Sequence, residues 1–172
     1  MITAKPRSPV FRGSAIALSI VAALFWGGVL LTASGTALLR IDVALAATFS
    51  GLHSESNLLY FASSDPAFAG KGFLVAQGCS SLHGMSIAIL AFVLVTQFYN
   101  LPAKPATVVW GLLGVAATIA VNIARLSIMG HFPAYYEWVH LGPGAVIAGM
   151  VGMILVLLAN LGGNWRAITR NG

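Results

Sequence analysis

The stretch "PATVVWGLLGVAATIAVNIA", residues 105–124, decides the fold. It is uncharged, bracketed by Lys104 and Arg125, and matches the roughly 20 residues a helix needs to cross a hydrocarbon core. Three further uncharged stretches flank it. Towards the N-terminus lies "GSAIALSIVAALFWGGVLLTASGTALL", giving a span over about 14–39; a second span over about 80–99 ends before Pro102, and a fourth over about 141–163 follows His140 and precedes Arg166. The Pro-Ala-Lys-Pro connection at 102–105 has room only for a tight helical hairpin.

Composition agrees with this pattern. With 58% hydrophobic and only 8% charged residues, and a mean hydropathy of +0.89, the chain is expected to be an all-α polytopic membrane bundle of four helices forming a single membrane domain over 1–172. The net charge of +5 would suggest nucleic acid in a soluble protein. Here the placement of the charges matters more, and the expected surroundings are a lipid bilayer and no nucleic acid. A signal peptide is the rival for the first span, because Lys5, Arg7 and Arg12 precede it and "ALA" at 44–46 resembles a cleavage site. A signal peptide's apolar region is only about 7 to 15 residues long, and Arg40 and Asp42 intervene, so a retained helix is expected.

The basic residues set an orientation. With both termini cytoplasmic (N-in/C-in), the inner segments carry six basic residues (Lys5, Arg7, Arg12, Lys104, Arg166 and Arg170) and no acid. The outer loops, 41–78 and 126–140, together with the outer helix ends, then carry Arg40, Lys71, Arg125 and all four acids, Asp42, Glu55, Asp65 and Glu137. Six basic residues against three favour that orientation.

It also brings three chemically interesting residues to one membrane level. The only cysteine, Cys79, opens the second span within "VAQGCSSLHG"; Arg125 ends the third, and His140 opens the fourth. One thiol makes no internal disulfide and cannot do dithiol redox chemistry. Lone cysteines are mostly buried small hydrophobes, but Gly78, Ser80 and Ser81 form a polar break at a helix N-terminus, a setting that lowers a thiol pKa. Arg125 has the ordinary reading of a boundary residue whose long side chain reaches the interface; Asn122, three residues earlier, supplies an amide on the same helix face to hold an inward cation. For His140 the plain reading is a helix-start residue followed by the punctuation Gly142, Pro143 and Gly144. His83, one turn beyond Cys79, and His131 are alternative acid/base candidates, and the aromatic residues of "PAYYEWVH" read most simply as an interfacial belt.

Taken in order, "CSS" at 79–81, "NIAR" at 122–125 and "HLGPG" at 140–144 resemble the exosortase/archaeosortase family of membrane cysteine proteases and transpeptidases. The resemblance covers about residues 72–160. It implies an enzyme of the cytoplasmic membrane, acting on its extracytoplasmic face. Its substrates would be exported proteins bearing a C-terminal motif, an apolar helix and a basic tail, with transfer to a cell-envelope acceptor as one outcome. It further implies Cys79 as nucleophile, Arg125 as oxyanion-stabilising cation and His140 as general acid/base, with Asn122, Ser80 and Gly144 in support and neither cofactor nor metal. Two departures stand out: Ser81 occupies a position where the family commonly has Gly, and the chain corresponds to a shortened core. The outer segment before Gly78 is the expected place for a substrate tail to dock.

Two other classes stay open on sequence grounds. One is a small electron-transfer bundle with His83 and His140 ligating a haem, which leaves Cys79, Asn122 and Arg125 unexplained. The other is a noncatalytic membrane scaffold, for which the bundle alone suffices.

Overall fold

A computed structural model describes residues 9–26, 37–98, 104–165 and 169. The chain is mostly helical: α1 (Pro9–Trp26), α2 (Ala37–Ser50), α3 (Ser81–Phe98), α4 (Pro105–His131), the short α5 (Tyr136–His140) and α6 (Pro143–Leu157), which runs on through a π turn over Leu158–Gly162. Among the described residues, two helices are long and apolar enough to cross a membrane, Pro105–His131 and Pro143–Gly162. Shorter apolar helices cover Gly13–Leu24 and Ser81–Gln97. Helix α1 packs on α3, α3 on α4, and α4 on α6.

The burial pattern of α4 explains the packing. From Thr107 to Asn122 its buried positions are Thr107, Gly111, Gly114, Thr118 and Asn122, spaced three or four residues apart, while Val108, Val109, Leu112 and Leu113 face outward. Small and polar residues turned inward beneath an apolar exterior invert the pattern of a soluble helix. Helices in lipid gain little by hiding Leu or Val, and associate through small residues that let backbones approach and polar groups that bond inside. Gly114 shows the fit: a Cβ there would stand 3.2 Å from the amide nitrogen of buried Asn160 on the α6 side.

Outside this bundle the structure departs from expectation. The expected first span is described only in part: α1 covers Pro9–Trp26 and α2 covers Ala37–Ser50, and residues 27–36 between them lie outside the described residues. The segment 41–78 is not a loop. It holds the rest of α2 and a small antiparallel sheet of β1 (Ser54–Glu55), β2 (Leu58–Tyr60) and β3 (Gly72–Leu74), in the order β1-β2-β3, so the fold is not purely α. Leu59 sits opposite Phe73 in that sheet, and both are buried. The 126–140 segment is largely helical as well. Helix α4 continues past Arg125 to His131 because Leu126 and Met129 find apolar partners, and a 3-10 turn (Pro133–Tyr135) leads into α5.

These outer elements share one compact core: Val43 and Ala46 of α2, Leu59 and Phe73 of the sheet, Leu126 and Met129 of α4, and Val139 of α5. Cys79 belongs to the same cluster. The outer layer is therefore a packed cap over the helix ends, and it encloses the thiol. The ends of the second span (Tyr99) and of the C-terminal segment beyond Trp165, apart from Thr169, lie outside the described residues.

Candidate active site

Cys79 ends a single 3-10 turn, Gln77–Cys79, that leads into α3. Ser80 adopts an extended conformation, and its Oγ accepts from the Leu82 amide at 3.2 Å, capping the helix. Four consecutive backbone amides at the thiol have acceptors: Cys79 N–H donates to Ala76 O (2.9 Å), Ser80 N–H to Gln77 O (3.1 Å), Ser81 N–H to the Asp42 carboxylate (3.0 Å) and Leu82 N–H to Ser80 Oγ.

Three sequence-predicted residues meet here. His140 Nε2 lies 3.0 Å from Cys79 Sγ, within reach of the thiol S–H. Arg125 lies beside the thiol and donates from Nε to Val139 O (3.2 Å) and from Nη2 to His140 O (3.0 Å). It is thus turned inward and clamped onto the backbone of α5. Asn122, expected to hold the cation, does something different: its Nδ2 donates to the Cys79 carbonyl at 2.9 Å. The amide fixes the Cys79 backbone, and the carbonyls of α5 fix the guanidinium.

Gly144 contributes space. A Cβ there would stand 2.6 Å from the Trp138 ring and 3.0 Å from its carbonyl oxygen, so the first turn of α6 packs flush against α5 only with glycine at this position. That packing sets the height of α5, and with it His140. The other histidines stand apart from the thiol contact. His83 lines the cavity described below, and exposed His131 lies 3.0 Å from the Ser50 carbonyl, towards which its ring N–H can donate.

The electrostatics run against the expectation of a lowered thiol pKa. Burial in the apolar cluster pushes the Cys79 thiol up, and the Arg125 charge and the Ala76 backbone contact offset this only in part. The first two amides of α3, those of Ser81 and Leu82, go to Asp42 and Ser80 Oγ rather than to the sulfur. With its pKa raised, the thiol keeps its proton more readily than a free one, and the 3.0 Å contact places His140 Nε2 to receive that proton if the sulfur attacks.

A cavity of about 200 Å³ opens beside the turn, between α3, α4 and α6. Gly78, Ser80, Ser81, Asn122 and Arg125 line its outer end, and Ala145, Ala148, Gly149 and Gly152 form the α6 wall. Thr118, near its inner end, lies two turns below Arg125, about 10 Å at the rise of an α-helix.

Two residues at the site escape a reading of the sequence. Asp42 is 2% exposed and accepts from Ser80 Oγ (2.8 Å), Ser81 N–H and Ser81 Oγ. An acid inside the apolar run "LLRIDVALAA" is the signal that could have marked it. Tyr136, read as part of an interfacial belt, stacks on the His140 ring with centroids 4.9 Å apart and also packs against Phe61 and Phe73, holding the imidazole from behind. Burial and the neighbouring Cys79 push its phenol pKa up, which keeps it a neutral hydrogen-bonding group. No family model, curated protein or solved structure matches the chain.

Proposed function

We propose that the chain is a membrane cysteine protease or transpeptidase of the exosortase/archaeosortase kind, with four spans, both termini cytoplasmic, and its site at the extracytoplasmic face of the cytoplasmic membrane. The observation that carries this reading is the 3.0 Å contact between Cys79 Sγ and His140 Nε2 beside a guanidinium anchored on the next backbone carbonyls. A scaffold has no use for that arrangement. The haem alternative is less well supported, since it needs the His140 ring for iron while Nε2 faces the thiol.

In this reading His140 takes the thiol proton as Sγ bonds to a peptide carbonyl carbon of the substrate. The carbonyl oxygen becomes an oxyanion, and the amides of Cys79, Ser80, Ser81 and Leu82 are already engaged, so stabilisation falls to Arg125. Two of the five guanidinium N–H groups hold the backbone, which orients the rest. As the oxyanion collapses, the C–N bond breaks, the imidazolium gives its proton to the leaving amine, and a thioester to Cys79 remains. An acceptor amine or water then attacks the thioester through the same steps and restores the thiol.

The cavity supports a peptide substrate approached at membrane depth. Extended backbone in a bilayer persists only where protein groups satisfy it, and the oxygens of Ser81, Thr118 and Asn122, whose own donors are engaged within the protein, line the cavity as acceptors for substrate N–H groups. We place the reacting segment of an exported protein's C-terminal signal there, rather than on the outer cap. The deciding experiment is co-expression with exported proteins carrying a short motif, an apolar helix and a basic tail. Size shifts that vanish in Cys79→Ala, together with a hydroxylamine-labile adduct on Cys79, are the expected result. Normal processing by Cys79→Ala ends the enzymatic reading and leaves the scaffold.

A further inference from the structure

We propose that Asp42 is a positioning residue of this site: from α2 it holds the turn after Cys79 in the geometry that lays the thiol on His140. The inference rests on the function proposed above for what the thiol does, but the contact itself stands on geometry alone.

A buried carboxylate is costly unless donors surround it, and Asp42 has three: Ser80 Oγ at 2.8 Å, Ser81 N–H at 3.0 Å and Ser81 Oγ. Simple helix capping does not require it, because Ser80 already caps α3 through the Leu82 amide. Asp42 instead grips both residues that follow the nucleophile, from a helix 38 and 39 residues away in sequence. On the other side of Cys79, Asn122 holds its carbonyl. The nucleophile is therefore pinned front and back by two different helices, and rotation of the turn is blocked.

The same contact accounts for the serine at position 81. Its hydroxyl supplies the partner for Asp42 Oδ1, which a glycine there lacks, so Asp42 and Ser81 form a matched pair. It also withdraws the Ser81 amide from any oxyanion, which makes the site depend on Arg125.

The test uses the full chain in lipid nanodiscs and two readouts: the rate of Cys79 alkylation by iodoacetamide, which needs no substrate, and single-turnover cleavage. Asp42→Asn should slow alkylation as much as His140→Ala does. The double variant should be no slower than either, because both act through one thiol–imidazole contact. Cleavage should fall by about a hundredfold at unchanged KM, the expected effect of a nucleophile misplaced by an ångström. Should Asp42→Asn fail to accumulate in the membrane, Ser81→Ala, which removes one hydroxyl and keeps the amide contact, must show the same pattern in smaller degree. Parent-like alkylation in these variants, or effects that multiply with His140→Ala, overturns the proposal. Coupled alkylation effects in a chain that cleaves no exported protein would sustain the Asp42 assignment and remove the transpeptidase reading.

Discussion

Arg125, near the outer end of α4, donates through Nη2 to the backbone carbonyl of His140 at 3.0 Å, so the cation and the histidine whose ring meets Cys79 form one unit. The guanidinium fixes the height of α5 while its charge lies beside the sulfur. Charge and geometry are thus separable by substitution.

Arg125→Lys keeps the charge and loses the planar fork of donors. Cleavage should drop about a hundredfold, the usual cost of a lost oxyanion donor. The measurement is single-turnover cleavage normalised to inserted protein. Full activity in Arg125→Lys would mean that a point charge suffices and that the clamp on Val139 and His140 is incidental.

The Cys79 thiol should titrate above the range of a free thiol, because burial raises its pKa more than Arg125 lowers it. Alkylation of the resting protein should therefore reach half its maximal rate at a pH above about 8.5, the midpoint of an exposed thiol. The thiol ionises more readily in the unfolded chain. Its contribution to stability is present in full below the unfolded pKa and is lost as pH climbs through the folded one. Cys79→Ser should remove that alkaline loss from thermal unfolding curves. A plateau of alkylation already below pH 7 would indicate a preformed thiolate–imidazolium pair instead.

Cavity occupation is tested by filling it. A Cβ at Gly149 or Gly152 meets nothing within 4 Å, so both positions have room for a larger side chain without disturbing neighbours. Gly149→Leu and Gly152→Leu should block cleavage while Cys79 alkylation stays at the parent rate. Unchanged cleavage in both would move the substrate segment back to the outer cap.

The orientation is best tested away from the buried thiol. In a Cys79→Ser background, Ser64→Cys in the cap should react with a membrane-impermeant maleimide added outside intact cells. Lys104→Cys, in the connection between α3 and α4, should react only after lysis. Both positions are exposed, so labelling reports sidedness rather than burial. The reverse result would invert the assigned topology.

The apolar character of residues 105–124 and of the stretch after Pro143 is written in the sequence, because lipid selects directly for long uncharged runs. Cys79, Arg125 and His140 were legible for a related reason: polar residues at the ends of such runs are few, and helices of fixed rise bring their ends to one level. What the run itself cannot encode is where polar side chains find partners. Asn122 looked like a companion of Arg125, its neighbour on one helix face, but it bonds Cys79, 43 residues away. Asp42 reads as one outer acid among four, yet it is buried and bonds both serines that follow Cys79. The cap over residues 41–78 went unread because its helix and short strands gain stability only by packing on α4 and α5, leaving no long periodic signal. The direction of the thiol's pKa was likewise decided in three dimensions: local sequence placed a helix N-terminus beside Cys79, but the folded chain gives the Ser81 amide to Asp42 and puts Cys79 in one buried cluster with Val43, Leu126 and Val139. Burial and long-range hydrogen bonding depend on contacts between distant segments, so only the folded chain could settle them.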